Sequence, residues 1–362
     1  PTRQETAVST ARVVNEDVLM AFVGRVVGEL GALTNAPMVV VGDELGLYRA
    51  MADGDPVTAS SLAMKTGTNE RYIREWLASQ AAGEFLTYEG DGLFSLPAEQ
   101  AVALTDETSP ACVLGGYQAF CAATRITPRL IEAFRSGEGI GWGEHDAGLF
   151  SGTARFFRPG YAAHLTTEWL PALQDASATL AQGGRIADVG CGFGHSTALM
   201  GHAFPQATVI GFDAHQPSID AARKQVADAG IAERVDFEVA TAHDFPGQDY
   251  DLITYFDCLH DMGDPVGALK HARQALTKDG TVMLVEPFAG DALEDNLNPL
   301  GRLFYGASTL ICTPASRSED VGTALGAQAG EARLREVAEE AGFTRFRRAT
   351  QTPFNLVLEA RP

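Results

Sequence analysis

Apolar residues recur every four positions from Val14 through Val18, Phe22 and Val26 to Leu30, with Asn15, Glu16, Asp17 and Arg25 on other faces. This period predicts an amphipathic helix over residues 8–33. Its apolar stripe needs a partner, and a second copy of the chain would supply one. From 37 to 105 the pattern becomes a compact alternation. Residues 58–67 read as a short helix stopped by a glycine. Thr68 or Asn69 caps a longer helix with Tyr72, Ile73, Trp76, Leu77 and Gln80 inward, ended by Gly83. Residues 85–88 and 93–96 flank the turn Glu89, Gly90, Asp91, Gly92, which predicts a hairpin. Helix, turn, helix and hairpin make a winged helix.

Residues 110–182 are helical in pattern, with a Gly-rich interruption at 136–143. Between 184 and 286 the pattern alternates. Strands are expected at 185–189, 208–212, 235–239, 250–255 and 281–285, with helices at 196–203, 218–229 and 266–276. Apolar strands alternating with helices imply an α/β fold with a parallel sheet covered on both faces. A helix at 332–341 and two short strands, near Phe346 and at 355–360, follow. The expected domains are a helical arm and winged helix at 1–110, a helical linker at 111–182 that contributes to a substrate pocket, and the sheet domain at 183–362. More than one domain is also what 362 residues predict.

Composition narrows the class. No apolar run approaches the ~18 residues of a membrane span, and the N-terminal residues lack the succession of a signal peptide. Cys112, Cys121, Cys191, Cys258 and Cys312 are odd in number and widely spaced, unlike a disulfide framework or a zinc site. A reduced cytoplasmic enzyme without a metal is the expectation. The formal charge is −20, from 47 acidic and 27 basic residues. Arg71 and Arg74 on the second helix of the winged unit sit among Glu70, Glu75 and Glu84, and the wing carries Glu89 and Asp91. A DNA reader would place Lys or Arg there. A packing and dimerisation role fits better, with a small-molecule substrate and neither nucleic acid nor membrane as partner.

The candidate chemistry begins where the first expected sheet strand ends. Asp188, Gly190, Gly192 and Gly194 spell acid-x-G-x-G-x-G, a strand running into a Gly-rich turn and a helix. Glycines let the backbone pass close beneath a ligand, and the helix start offers free N–H groups. A dinucleotide fingerprint wants G-x-G-x-x-G, and position 195 is His, so a nicotinamide oxidoreductase is disfavoured. An acid on the strand suits an amino group and repels a pyrophosphate. Asp213 ends the next strand, where a carboxylate can accept both hydroxyls of a ribose.

These residues resemble the class I S-adenosylmethionine-dependent methyltransferases over about 184–286. The resemblance implies a Rossmann-like seven-stranded sheet whose final strand is antiparallel, with S-adenosylmethionine as cofactor. Asp188, Gly190 and Gly192 would surround its methionine end, and Asp213 and Ala214 its ribose and adenine edge. Ala242 and His243 would lie at the adenine, Thr241 replacing the family's common acid. Phe256 and Asp257 would close over the cofactor. The run from Asp257 through His260 and Asp261 to Asp264 and Pro265 is similar to the Leu-His-Asp-Trp-x-Asp segment of winged-helix small-molecule O-methyltransferases of the plant phenolic type, with Met262 where the Trp would be. More narrowly, 256–265 and 352–361 resemble a mycobacterial and actinobacterial branch, members of which are sometimes labelled regulators.

That resemblance makes His260 the general base and Glu286 its carboxylate partner, while the second acid of the plant-type enzymes falls at Gln328. An imidazole of pKa about 6.5 can take the proton of a phenol of pKa about 10 as attack on the methyl group proceeds. The acceptor pocket should be apolar, with Trp142, Phe157, Tyr161 and Tyr305 as leading candidates and Phe120, Phe156, Phe304 and Leu310 behind them. The expected function is O-methylation of a small, mostly apolar hydroxylated molecule. Its rivals are N- or C-methylation with His260 only shielding the cofactor, and a ligand-responsive regulator.

Overall fold

A computed structural model describes residues 13–362, so the part of the expected arm at 8–12 lies outside the described residues. Helix α1 (Glu16–Glu44) opens at Asn15, whose side chain accepts the N–H groups of Asp17 and Val18. These are two of the free donors every helix start must satisfy. The helix runs well past the expected end at 33, through Pro37. Proline removes one helical bond, and tertiary contacts offset that loss: Val39 is buried, and the Trp76 indole donates to the Met38 carbonyl.

The chain divides into two compact units, Pro1–Ala101 and Val102–Pro362. In the first, α2 (Ala59–Thr66) starts in a reciprocal Thr58–Ser61 capping box and ends at Gly67. Helix α3 (Glu70–Ala82), capped by Asn69, buries Ile73, Trp76, Leu77 and Gln80. Tyr72, read as inward from the sequence, is 80% exposed. It lies about a quarter turn from the centre of the stripe that the other four define. Gln80 is inward because its amide is used: it accepts from the Tyr48 hydroxyl and donates to Asn35. Strands β1 (Thr87–Gly90) and β2 (Leu93–Ser95) form the wing around the positive-φ pair Asp91 and Gly92, β1 lying two residues later than expected and β2 one residue shorter.

The second unit begins with helices, among them α4 (Leu114–Ala123) and α5 (Ala147–His164). Its sheet strands are β3 (Arg185–Val189), β4 (Thr208–Asp213), β5 (Val235–Val239), β6 (Tyr250–Phe256), β7 (Leu276–Pro287), β8 (Arg345–Gln351) and β9 (Asn355–Arg361). Their order is β5-β4-β3-β6-β7-β9-β8. The first five are parallel, and β9 runs antiparallel to both β7 and β8. Successive side chains of β3 enter opposite cores: Ile186 joins Leu252, Met283 and Val357, whereas Ala187 joins Ile253, Leu284 and Leu358. Both faces are therefore covered, which is why these strands read as continuous apolar runs. Strand order reverses beside β3, the place where open α/β sheets leave a crevice at their carboxyl ends.

Candidate active site

The turn after β3 is built from short contacts. Gly190 takes a φ of 71°, and a Cβ there would lie 2.7 Å from the Cys258 sulfur. Gly190 and Cys191 donate their N–H groups to the Phe212 carbonyl, which pins the turn to β4. The Gly192 N–H then reaches the Asp213 carboxylate at 2.9 Å, and the His215 N–H reaches its other oxygen at 2.8 Å. Asp213 is thus fixed by one backbone donor on each oxygen, leaving each oxygen free to accept again. Burial raises its pKa above the usual aspartate value.

Asp188 stands one layer behind. One carboxylate oxygen accepts from the Ser196 and Thr197 hydroxyls at 2.7 and 2.6 Å, the other from Thr254 at 2.9 Å. These bonds tie helix α6 (His195–Ala203) to β3 and β6, and Asp188 is not among the residues that line the cavity in front of the turn. Burial outweighs these three bonds and pushes its pKa up to about 6.

In front of this turn lies a cavity of about 760 Å³. Of the residues expected at a cofactor, Gly190, Gly192, Asp213, Ala214, Ala242, His243, Phe256 and Asp257 line it, as do the pocket candidates Trp142, Phe157 and Tyr161. Asp257 follows β6 with a φ of 50°. Its carboxylate accepts from the Tyr161 hydroxyl at 3.0 Å and from the Asn355 amide at 2.8 Å. Burial, reinforced by the neighbouring Glu286, raises its pKa to about 7. His243 is held through Nε2 on the Asp264 carbonyl, at 2.9 Å.

His260 and Glu286 do meet. His260 sits in a single helical turn, Leu259–Asp261, with Nδ1 2.5 Å from Glu286, whose second oxygen accepts the Leu259 N–H at 3.1 Å. His260 is 4% exposed and Glu286 1%. Burial opposes charge on the ring, but Glu286 together with Cys312 more than offsets this and holds the His260 pKa well above the usual histidine value. Neither member of the pair lines the cavity; Cys258 and Asp261, beside His260, do. Gln328 donates to the Phe288 and Ala327 carbonyls, so Glu286 is the carboxylate that holds the imidazole.

Residues 187–282 match the family described as methyltransferase domain, and residues 33–106 match the Rv2258c-like winged HTH domain. The methyltransferase-domain match lies within the second unit, from β3 into β7. The Bacillus subtilis uncharacterized methyltransferase YcgJ is 32% identical over 123 residues, covering 33% of this chain and 47% of YcgJ. The chain spans less than half the length of the curated relatives it matches. Among solved structures, the mitomycin 7-O-methyltransferase MmcR is similar with a TM-score of 0.68 at 22% identity, over 96% of this chain and 100% of that one. Human N-acetylserotonin methyltransferase, in complex with S-adenosylmethionine, gives 0.70 at 16% identity, over 98% and 99%. These likenesses are likenesses of fold.

Within the second unit, the remaining pocket candidates divide. Tyr305, on helix α7 (Pro299–Ala307), is half-buried and does not line the cavity. Phe120, Phe304 and Leu310 gather instead with Leu149, Ile311 and Cys312 in an apolar cluster against which Trp142 packs. Phe156 packs on Gly116. Several lining residues were not among the expected site residues, among them Phe150, His195, Asp261 and Met262. His195 had a signal: it follows the third glycine and opens α6. Burial, with the charge of Arg158, lowers its pKa to about 4, so it is neutral at physiological pH.

Proposed function

We propose that the chain transfers a methyl group from S-adenosylmethionine to a hydroxyl oxygen of a small, largely apolar acceptor, with His260 as general base and Glu286 as its partner. The observation that carries this reading is the buried Glu286–His260 pair, 2.5 Å apart and one residue from the cavity-lining Asp261. S-adenosylmethionine, when bound, supplies the sulfonium methyl group. Asp213 accepts the ribose hydroxyls, Ala214, Ala242 and His243 border the adenine, and the Gly190–Gly192 turn faces the methionine end. Phe256 and Asp257 close over the cofactor, and the aromatic residues Trp142, Phe157 and Tyr161 exclude water, which matters more for methyl transfer than any covalent catalyst.

Glu286 fixes the tautomer and steadies the imidazolium as His260 takes the acceptor's proton. His260→Ala should therefore lower turnover by about 10²–10⁴-fold with the affinity for S-adenosylhomocysteine unchanged. Acceptors are found by mass analysis of products from a library of phenols and of fatty and polyketide hydroxyls. A variant that keeps most of its rate makes His260 a shield over the cofactor. One observation favours that second reading, with N- or C-methylation: the His260 ring does not itself line the cavity.

The winged helix we read as a packing element of a homodimer in the cytoplasm. Arg71 and Arg74 are paired with Glu75 and Glu70 at 2.5 and 2.8 Å, which leaves α3 little free positive charge for a phosphate backbone.

A further inference from the structure

The proposed base does not touch the cavity. His260 is 4% exposed and its ring is held by Glu286 and Cys312, while Cys258, Asp261 and Met262 form the cavity wall beside it. A proton leaving an acceptor in the cavity therefore needs a carrier to reach the ring. Met262 has no ionisable group. The Cys258 thiol points back to the Val189 carbonyl at 3.3 Å, and burial holds its pKa well above the ordinary thiol value. Asp261 remains.

Its carboxylate lies within 4.8 Å of a His260 ring nitrogen. Among the described residues none donates a hydrogen bond to it. Asp188, Asp213 and Asp257, by contrast, are held by donors on both oxygens. The turn around Asp261 is nevertheless fixed. The Gly326 N–H donates to the His260 carbonyl at 3.2 Å and the Ser316 hydroxyl to the Met262 carbonyl at 2.8 Å. The Gly263 N–H donates to Glu319 at 2.9 Å. Contacts to the neighbouring residues thus position Asp261 and leave its oxygens unused, the support that a reacting group requires.

Burial raises the Asp261 pKa to about 7; the His260 charge opposes this, and Glu286, Glu319 and Asp213 add to it. Such a carboxylate is a stronger base than an ordinary aspartate of pKa about 4. His260, held well above the usual histidine value, takes a proton from it downhill.

We propose that Asp261 is the catalytic residue that meets the acceptor's hydroxyl and relays its proton to His260. This rests on the methyl-transfer reading above and supplies the contact with the cavity that His260 lacks. The acceptor oxygen bonds to the methyl carbon while sulfur keeps the electron pair of the bond that breaks. The hydroxyl proton moves to an Asp261 oxygen and then to the neutral His260 ring, which restores the carboxylate. Catalytic hydrogen bonds are often long before the acceptor is bound and shorten in the complex.

The test follows methylation of 4-methylphenol, un-ionised at pH 8, and of 4-nitrophenol, largely ionised there, by the full chain with S-adenosylmethionine. An ionised acceptor has no proton to hand over. Asp261→Asn should therefore lower the 4-methylphenol rate by about 10²–10⁴-fold and the 4-nitrophenol rate far less. His260→Ala should show the same selectivity. Residues that act as a unit are not additive, so the double variant should be no slower than the slower single one. Asp261→Glu, which keeps the carboxylate, should recover part of the rate, and retained S-adenosylhomocysteine binding shows that each variant folds. Equal losses on both phenols in Asp261→Asn, no loss on either, or a double variant as slow as the product of the single effects overturns the relay and leaves the methyl-transfer reading standing. A wild type that methylates neither phenol, or His260→Ala without loss, overturns that reading as stated, and this inference with it.

Discussion

Asp213 uses both oxygens on backbone donors, so its substitution should act through geometry as well as charge. Asp213→Ala should weaken S-adenosylhomocysteine binding by about 2–4 kcal/mol, from two charge-assisted hydrogen bonds to the ribose. Asp213→Asn is no gentle control, because its NH₂ must face either the Gly192 or the His215 N–H, both donors. Calorimetry that finds unchanged affinity in Asp213→Ala would remove this residue from the cofactor site. His260 makes a second case at this scale. The sequence alone places its titration near the ordinary histidine range, but Glu286 and Cys312 raise it well above that. A base must be neutral to act, so the rate should still be climbing with pH above that range. Glu286→Gln should move this limb toward lower pH while reducing the maximal rate. A limb left in place by the substitution would count against His260 as the titrating group.

At the scale of elements, the carboxyl ends of the strands collect acids: Asp188 on β3, Asp213 on β4, Asp257 directly after β6, with Asp261 just beyond. Burial raises all four, Asp257 and Asp261 to about 7. A carboxyl whose pKa is higher folded than unfolded binds more protons in the native state, so stability falls as pH rises between the two values. For Asp257 that window runs from about 4 to about 7, and the loss is complete above it. Asp257→Asn should therefore melt at least about 2–4 °C above wild type at pH 8, the shift for ~1 kcal/mol in a chain of this kind, and gain nothing at pH 4. Equal melting temperatures at pH 8 would show that the Asp257 carboxyl carries no such penalty. The strand-and-turn register around Asp188 was legible because it rests on local period and glycine spacing. What Asp188 does was not, because Ser196, Thr197 and Thr254 converge on it only in the folded sheet. The aromatic residues show the same limit. Trp142, Phe157 and Tyr161 reach the cavity while Phe120 and Phe304 join a core, and nothing in their spacing distinguishes the two fates. The extension of α1 through Pro37 was hidden for a related reason, since contacts of Val39 and Trp76 override the local signal.

For the molecule as a whole, α1 carries an exposed apolar strip. Val14, Val18, Phe22, Leu30 and Leu33 are exposed, and only Glu16, Asp17, Arg25 and Glu29 are charged between positions 14 and 33. Monomeric proteins rarely leave so continuous an apolar strip in water. A second copy is its simplest cover, because an isologous contact buries the same strip twice. Two chains of formal charge −20 repel each other, but salt screens that repulsion beyond roughly 8–10 Å under physiological conditions. Short-range apolar burial then decides, and raising the salt should favour association rather than oppose it. We expect a homodimer in solution. Deleting residues 1–32 should yield a monomer and leave the Asn35–Gln80 bond and the 33–106 winged-helix match intact. Phe22→Asp with Val18→Asp should have the same effect without shortening the chain. Light scattering reads both outcomes, and bound S-adenosylhomocysteine reports whether the second unit stays folded. A wild type that runs as a monomer at any salt, or a dimer that persists in both variants, would assign the strip to some other partner.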